Sequence, residues 1–291
     1  MLHQLTRELY SQAPKETIYH YTSFSGFMGI VESRMLWTSD IRYMNDSAEL
    51  NHMVNLINDE VNERIQLGHP NPALLSQLTG WLRGRVSYGH LLFTGSFREN
   101  GNLLSQWRGY SILGKGVSIG FNPSHILQCA KQSGFMVGRC IYEPQRQQDL
   151  IHQMVDIIED LASQQERRTS GRAEPCYEHV FEQVENELLR IGALLKHPSF
   201  AEEAEWRIVS PIISDYSHQA IRYREGNSML VPFLEFPLQI PCDAPLKVEH
   251  IFLGPTPNAQ LSMNSLKMFL KKHHIVPARG TAYCNIPYRK H

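Results

Sequence analysis

Read for its apolar and polar positions, the chain begins with an amphipathic lead-in over residues 1–17 that closes at Pro14. The apolar run Ile18-Tyr19-His20-Tyr21-Thr22-Ser23 then predicts a strand. Phe24, Phe27, Met28 and Val31 recur at helical spacing, and Met35-Leu36-Trp37-Thr38-Ser39 predicts a second strand. Ser23 and Ser25 are the candidate caps of the helix between them, because a hydroxyl there accepts the unpaired N–H groups of a first turn. Asp46-Ser47-Ala48-Glu49 is a capping-box pattern led by aspartate. Leu50, Met53, Val54, Ile57, Val61 and Ile65 mark one face of the long helix it introduces, which stops near Gly68.

The same reading predicts a helix from Ala73 to Arg83, a strand over His90–Phe97 and one or two helical turns at Leu103–Trp107. Val117–Phe121 reads as a strand after a turn flanked by Gly114 and Gly116. Asn122-Pro123-Ser124 starts another helix, and Phe135–Tyr142 is a further strand. Polar helices are expected over Gln145–Gln165 and Tyr177–Leu195, on either side of an exposed loop at Glu166–Pro175. The last third turns to strands, at Glu205–Ile212, Ala220–Tyr223, Met229–Leu238 and His250–Leu253. A helix over Asn258–Lys271 and a short strand near Ile275 complete it. Helices and strands mix without a regular βαβ repeat. The fold class expected is therefore α+β, a mixed and mostly antiparallel sheet with flanking helices, in one domain over residues 1–291 with a helical insertion at about 145–197.

Composition narrows the function classes. Net charge is −1, so the chain lacks the global basic field of a non-specific nucleic-acid binder, which leaves local recognition open. The five cysteines, Cys129, Cys140, Cys176, Cys242 and Cys284, are odd in number and widely spaced, with no CxxC or HExxH pair. This argues against a disulfide framework or a zinc site and predicts no metal. No apolar h-region opens the chain and no apolar run approaches the roughly 20 residues a membrane helix needs, which predicts a cytoplasmic protein without membrane contact.

Four sets of residues can carry chemistry. His20, with Tyr21 and Thr22, ends a strand that points into a crevice; its imidazole can meet a sugar hydroxyl, act as acid or base, or simply satisfy a backbone carbonyl. Trp37 and Ser39, with Asn45 and Asp46, offer an aromatic ring beside hydrogen-bonding groups, which suits a planar ligand; the alternatives are a core tryptophan and a helix cap. Glu203 and Glu205 alternate at the start of a strand and so face one way. Paired carboxylates repel, which raises one pKa, unless Arg207 on the same face neutralises them. Arg222, Arg224 and Arg289 can grip phosphate through guanidinium forks; the alternative is that they are scattered solvated surface arginines. There is no GxGxxG after a strand, no P-loop and no GxSxG.

Tyr19-His20-Tyr21-Thr22, Leu36-Trp37, Asn45-Asp46 with Glu49, Gly116-Val117-Ser118-Ile119-Gly120-Phe121, Glu203-Ala204-Glu205-Trp206-Arg207 and Pro287-Tyr288-Arg289 occur in that order. Together they resemble the bacterial domain-of-unknown-function family 2971 over residues 18–289, a likeness that implies no activity. His20-Tyr21-Thr22 and Glu203-Ala204-Glu205 are also similar to motifs of the ADP-ribosyltransferase superfamily. That resemblance implies an NAD-dependent enzyme with NAD as its substrate, either transferring ADP-ribose to a protein or nucleic-acid acceptor or cleaving NAD, as a toxin or phage-defence effector does. It implies that His20 holds ribose hydroxyls and Thr22 supports the ribose or the strand turn. Glu205 would stabilise the oxocarbenium-like transition state as nicotinamide leaves, and Glu203 would orient the acceptor. Trp37, Tyr43 or Trp107 would stack the nicotinamide, with Tyr21, Ser39, Asn45 and Arg207 lining the cofactor site. A homodimer or an antitoxin partner is compatible with this reading. Two other readings stay open: a non-catalytic nucleotide-sensing module in the same crevice, and a hydrolase or nuclease using Glu203 and Glu205.

Overall fold

Ile18–Ser23 forms β1, and Ser23 turns the chain into α2 (Phe24–Ser33) by accepting the Gly26 N–H at 3.1 Å. Thr22 packs its hydroxyl against Gly26, where any Cβ would collide with it, so the turn from strand to helix requires glycine there. β2 (Met35–Asp40) completes the unit, ahead of a 3-10 turn (Ile41–Tyr43) capped by Asp40. The computed structural model describes residues 1–44, 48–110, 116–167, 176–226, 228–241 and 244–284. Asn45, Asp46, Ser47, Gly114, Pro287, Tyr288 and Arg289 lie outside the described residues, as does the Glu49 side chain.

The remaining helices are α1 (Leu2–Leu9), α3 (Ala48–Gln66), α4 (Pro72–Tyr88), α5 (Leu104–Tyr110), α6 (Pro123–Gln132), α7 (Pro144–Glu166), α8 (Glu178–Gly192) and α9 (Ala259–Lys272). The remaining strands are β3 (Phe93–Arg98), β4 (Gly116–Phe121), β5 (Met136–Arg139), β6 (Glu205–Val209), β7 (Arg222–Glu225), β8 (Leu230–Pro237), β9 (His250–Leu253) and β10 (Thr281–Tyr283). They form one sheet in the order β10-β9-β4-β1-β3-β2-β8-β7, with β6 and then β5 branching from β3. Every pairing is antiparallel except that of β9 with β10, so the fold is α+β with a mixed, mostly antiparallel sheet and flanking helices.

The register makes the sheet fork at β3. Arg98 pairs with Tyr19 of β1 and with Glu205 of β6, and Thr94 pairs with Ser39 of β2 and with Val209 of β6. β1 and β2 therefore share the β3 edge opposite β6, one at each end. Between them the ladder is open.

Three packed layers hold the fork. Phe27, Ile30 and Val31 of α2, Ile126 of α6 and Leu266 and Leu270 of α9 bury one face of the sheet, against Leu36, Phe97, Trp206, Ile208, Leu234 and Phe236. Helices α1, α3, α4, α7 and α8 build a second apolar core of their own. A small cluster of Tyr19, Tyr21, Trp107 and Cys284 lies where α5 covers β1. Removing apolar area from water on this scale, at about 25 cal/mol per Å², is what fixes the polar residues between the layers. No described helix is long and apolar enough to cross a membrane.

Two expectations for the elements are corrected. Ile275 is not in a strand: it follows His274, whose φ is 56°, and its N–H returns to the Leu270 carbonyl at 3.0 Å. Ile275 is thus the apolar clasp that ends α9, which an isolated apolar residue after a helix does not distinguish from a strand. The last strand is β10. The strand predicted to reach Tyr142 stops at Arg139, although Cys140 still donates its N–H to the Glu205 carbonyl.

Candidate functional site

His20 sits at the fork. The β1–β3 ladder stops after one pair, and the ring fills the gap beyond it, edge-on to Phe97 with centroids 6.0 Å apart. Its Nδ1 lies 3.0 Å from the Ser96 carbonyl. A carbonyl only accepts, so Nδ1 carries the proton and Nε2 presents a lone pair. Burial drives the imidazole pKa down to about 4, against the Ser96 hydrogen bond, which favours the charged form, and with the help of the nearby Arg98 charge. At neutral pH His20 is uncharged, and Nε2 has no hydrogen-bond partner among the described residues.

Nε2 is not alone. His20, Tyr21, Ser96, Arg98 and Gln106 line one narrow cleft of about 20 Å³, room for about one water-sized group. Gln106 is only 6% exposed, and its side-chain amide has no partner among the described residues. The Tyr21 hydroxyl is committed: it donates to the Asn100 carbonyl at 2.7 Å and accepts the Leu103 N–H at 2.9 Å. The cleft thus offers an acceptor at His20 and a donor and acceptor at Gln106, beside the Arg98 guanidinium that Glu203 and Glu205 hold.

Trp37 and Ser39 stand on the other side of the fork. Extending the Ser39–Thr94 register by two residues brings Trp37 opposite Ser96, and Thr38 lies within 3.1 Å of where a Gly95 Cβ would be. Trp37 is half exposed and stacks on Phe233, with centroids 4.5 Å apart and planes inclined by 29°. Ser39 accepts a hydrogen bond from Arg224 at 3.1 Å. Trp107, by contrast, is fully buried, with Nε1 on Asn102 at 2.8 Å and its ring against Tyr21.

Glu203 and Glu205 do converge, but by a route other than strand alternation. Glu203 belongs to a 3-10 turn (Pro198–Glu203), and Ala204, with φ 40°, turns the chain back before β6. Both carboxylates then meet the same cations. Lys196 Nζ lies 2.7 Å from Glu203 and 2.6 Å from Glu205; Arg98 lies 2.7 Å from Glu203 and 3.3 Å from Glu205. Arg207 Nε donates to Glu205 at 2.8 Å, and its Nη1 donates to the Ala193 carbonyl at 2.7 Å.

Glu205 is fully buried. Burial alone would raise its pKa, but Arg207, Arg98 and Lys196 outweigh that and hold it well below the usual carboxylate range. The expectation of a raised pKa in this pair therefore fails for Glu205. The alternative, neutralisation by Arg207, describes what is present, with Lys196 and Arg98 added. Tyr142 closes the assembly by accepting the Glu205 N–H at 3.0 Å.

Three participants were not singled out in the sequence. Gln106 had a signal: three residues after Leu103 in a short helix, it falls on the buried side with Trp107. Arg98 also had one, continuing Thr94 and Ser96 at period two along β3. Lys196 follows the apolar run Ala193-Leu194-Leu195, and nothing local marks it for burial.

A family model described as a protein of unknown function (DUF2971) matches residues 106–208. That span runs from Gln106 to Ile208 and takes in Lys196, Glu203, Glu205 and Arg207, but not His20, Trp37 or Ser39. No curated protein and no solved structure matches the chain.

Proposed function

We propose that the protein binds the ribose-bearing end of a nucleotide, NAD in the first instance, at the fork between β1 and β2, and acts as a nucleotide-binding module. The observation that carries this reading is a pair of polar groups in one cleft that have no protein partner among the described residues: the Nε2 lone pair of His20 and the amide of Gln106. A ligand hydroxyl in the cleft donates to the imidazole and accepts from the amide, in place of solvent. The cleft takes one such group and no ring, so the planar part of the ligand lies outside it.

A second reading, ADP-ribosyl transfer or NAD cleavage, has one observation in its favour. Arg98 lines the cleft and also holds Glu203 and Glu205, so His20 and the Glu-x-Glu segment meet on one side chain. Transfer requires Glu205 to leave its three cations, which the module reading does not. The hydrolase or nuclease reading requires carboxylates that can bind a metal or activate water, and both are occupied by ammonium and guanidinium groups.

Titration calorimetry with NAD, run beside an assay for released nicotinamide, separates these readings. The module reading expects saturable binding, weakened about tenfold by Gln106→Ala, as loss of roughly 1.4 kcal/mol of hydrogen bonding implies, and no nicotinamide. Nicotinamide release that disappears in a folded Glu205→Gln protein establishes the second reading. Absence of binding removes both.

A further inference from the structure

Along β2, β8 and β7 one side of the sheet carries Trp37, Glu235, Arg222 and Arg224 at the surface over the buried Ser39 and Phe233, in an arrangement the register sets. Trp37 pairs with Glu235, Ser39 with Phe233, and Phe233 with Arg222. Arg224 joins them through its bond to Ser39, and Arg222 through its 3.3 Å contact with Glu235. One face of the Trp37 indole is backed by Phe233 and half of the residue is open to solvent. Among the described residues, the guanidinium groups of Arg222 and Arg224 and the Glu235 carboxylate stand beside it.

We propose that this face docks single-stranded nucleic acid, with a base stacked on Trp37 and the adjoining phosphates held by Arg222 and Arg224. Each part follows from chemistry on the surface. A rigid indole fixed from behind stacks any unpaired base without sequence preference. Guanidinium forks match phosphate oxygens in pairs. A duplex does not fit, because its base faces are already stacked and closed to Trp37. The overall charge of −1 supplies no long-range attraction, so binding depends on these local contacts and its salt dependence is shallow. The inference does not rest on the NAD reading: it uses a sheet face outside the cleft and an occupant of another class.

The test is fluorescence anisotropy of a short labelled oligothymidylate, and of its oligouridylate counterpart, titrated with the full chain. Wild type is expected to bind both, with a plot of log affinity against log salt sloping at about −1.4 for two phosphates. Trp37→Ala is expected to weaken binding about tenfold or more, and Trp37→Phe to retain most of it. Arg222→Ala and Arg224→Ala are each expected to flatten the slope by about 0.7, and Glu235→Gln to tighten binding. Trp37, Arg222 and Glu235 are all surface-accessible, so matched thermal unfolding of the variants shows that they fold. The proposal is overturned by failure of wild type to bind, by equal affinity of folded Trp37→Ala, or by binding to phosphatidylserine vesicles in place of the oligonucleotide. Oligonucleotide binding without NAD binding removes the function proposed above and leaves this one standing; NAD binding without oligonucleotide binding does the reverse.

Discussion

The ion cluster around Glu205 and the cleft around His20 are neighbours that share Arg98, yet their polar groups are in opposite states. At Glu205 both carboxylate oxygens are occupied: Arg207 and Arg98 meet Oε1, and Lys196 and Arg207 meet Oε2. At His20 one ring nitrogen is tied to Ser96, while the other faces a cleft with the unpartnered Gln106 amide. A buried ionisable residue on a strand is a functional candidate in either case. What separates the two is whether the protein itself completes the hydrogen bonding. Where it does, the residue holds the fold; where it stops short, a ligand can finish it.

The largest effect is expected at the closed cluster. Glu205→Gln leaves Lys196 and Arg207 buried without their full counter-charge and should lower unfolding stability by about 3–5 kcal/mol, measured by urea denaturation. A loss below about 1 kcal/mol would mean that the cluster is solvated and that Glu205 is open to other work.

The next effect is the pH response of the cleft. His20 has a folded pKa of about 4, with Arg98 the charged group that faces it, against about 6.5 when unfolded. In that window the unfolded chain binds the proton more readily. His20 therefore contributes stability in full above pH 6.5, and this contribution is lost as pH falls towards 4. The loss amounts to up to about 3 kcal/mol. His20→Gln should flatten the fall in melting temperature across this range. Glu205, whose folded pKa is depressed, contributes stability that is lost only as pH falls below its unfolded value, about 4.3. The two regions are thus separable by pH.

Smaller effects sharpen the contrast. Ala204 holds a left-handed backbone, so Ala204→Gly should raise stability by up to about 1 kcal/mol in thermal unfolding without loosening the cluster. Gln106→Ala removes an amide that has no described partner, and should change stability by less than about 1 kcal/mol while weakening the ligand. If Gln106→Ala instead destabilises as strongly as Glu205→Gln, the cleft is structural after all.

Much of this was legible in the sequence because it is local. The β1–α2–β2 unit follows from alternation, from a serine cap and from apolar residues at helical spacing, and each needs only a few neighbouring residues. The fork was not legible. It arises because β1 and β2 pair with opposite ends of β3, a register set by packing across more than one layer. For the same reason His20, Trp37 and Ser39 could be named as candidates, but not as residues placed around Ser96. Glu203 and Glu205 were seen as a pair with Arg207 as a counter-charge. Lys196 and Arg98, which decide that pair's state, are brought in by the 3-10 turn and by the β3–β6 register. Trp107 looked as suited to stacking as Trp37; only burial tells them apart.

The most direct test is one NMR titration with NAD, on protein carrying labelled histidine rings and glutamate carboxyl groups. With the ligand bound at the fork, the His20 Nε2 resonance moves with saturation while the Glu205 carboxyl stays ionised and unmoved. A Glu205 resonance that shifts while His20 does not would contradict this, and would place the working group inside the ion cluster.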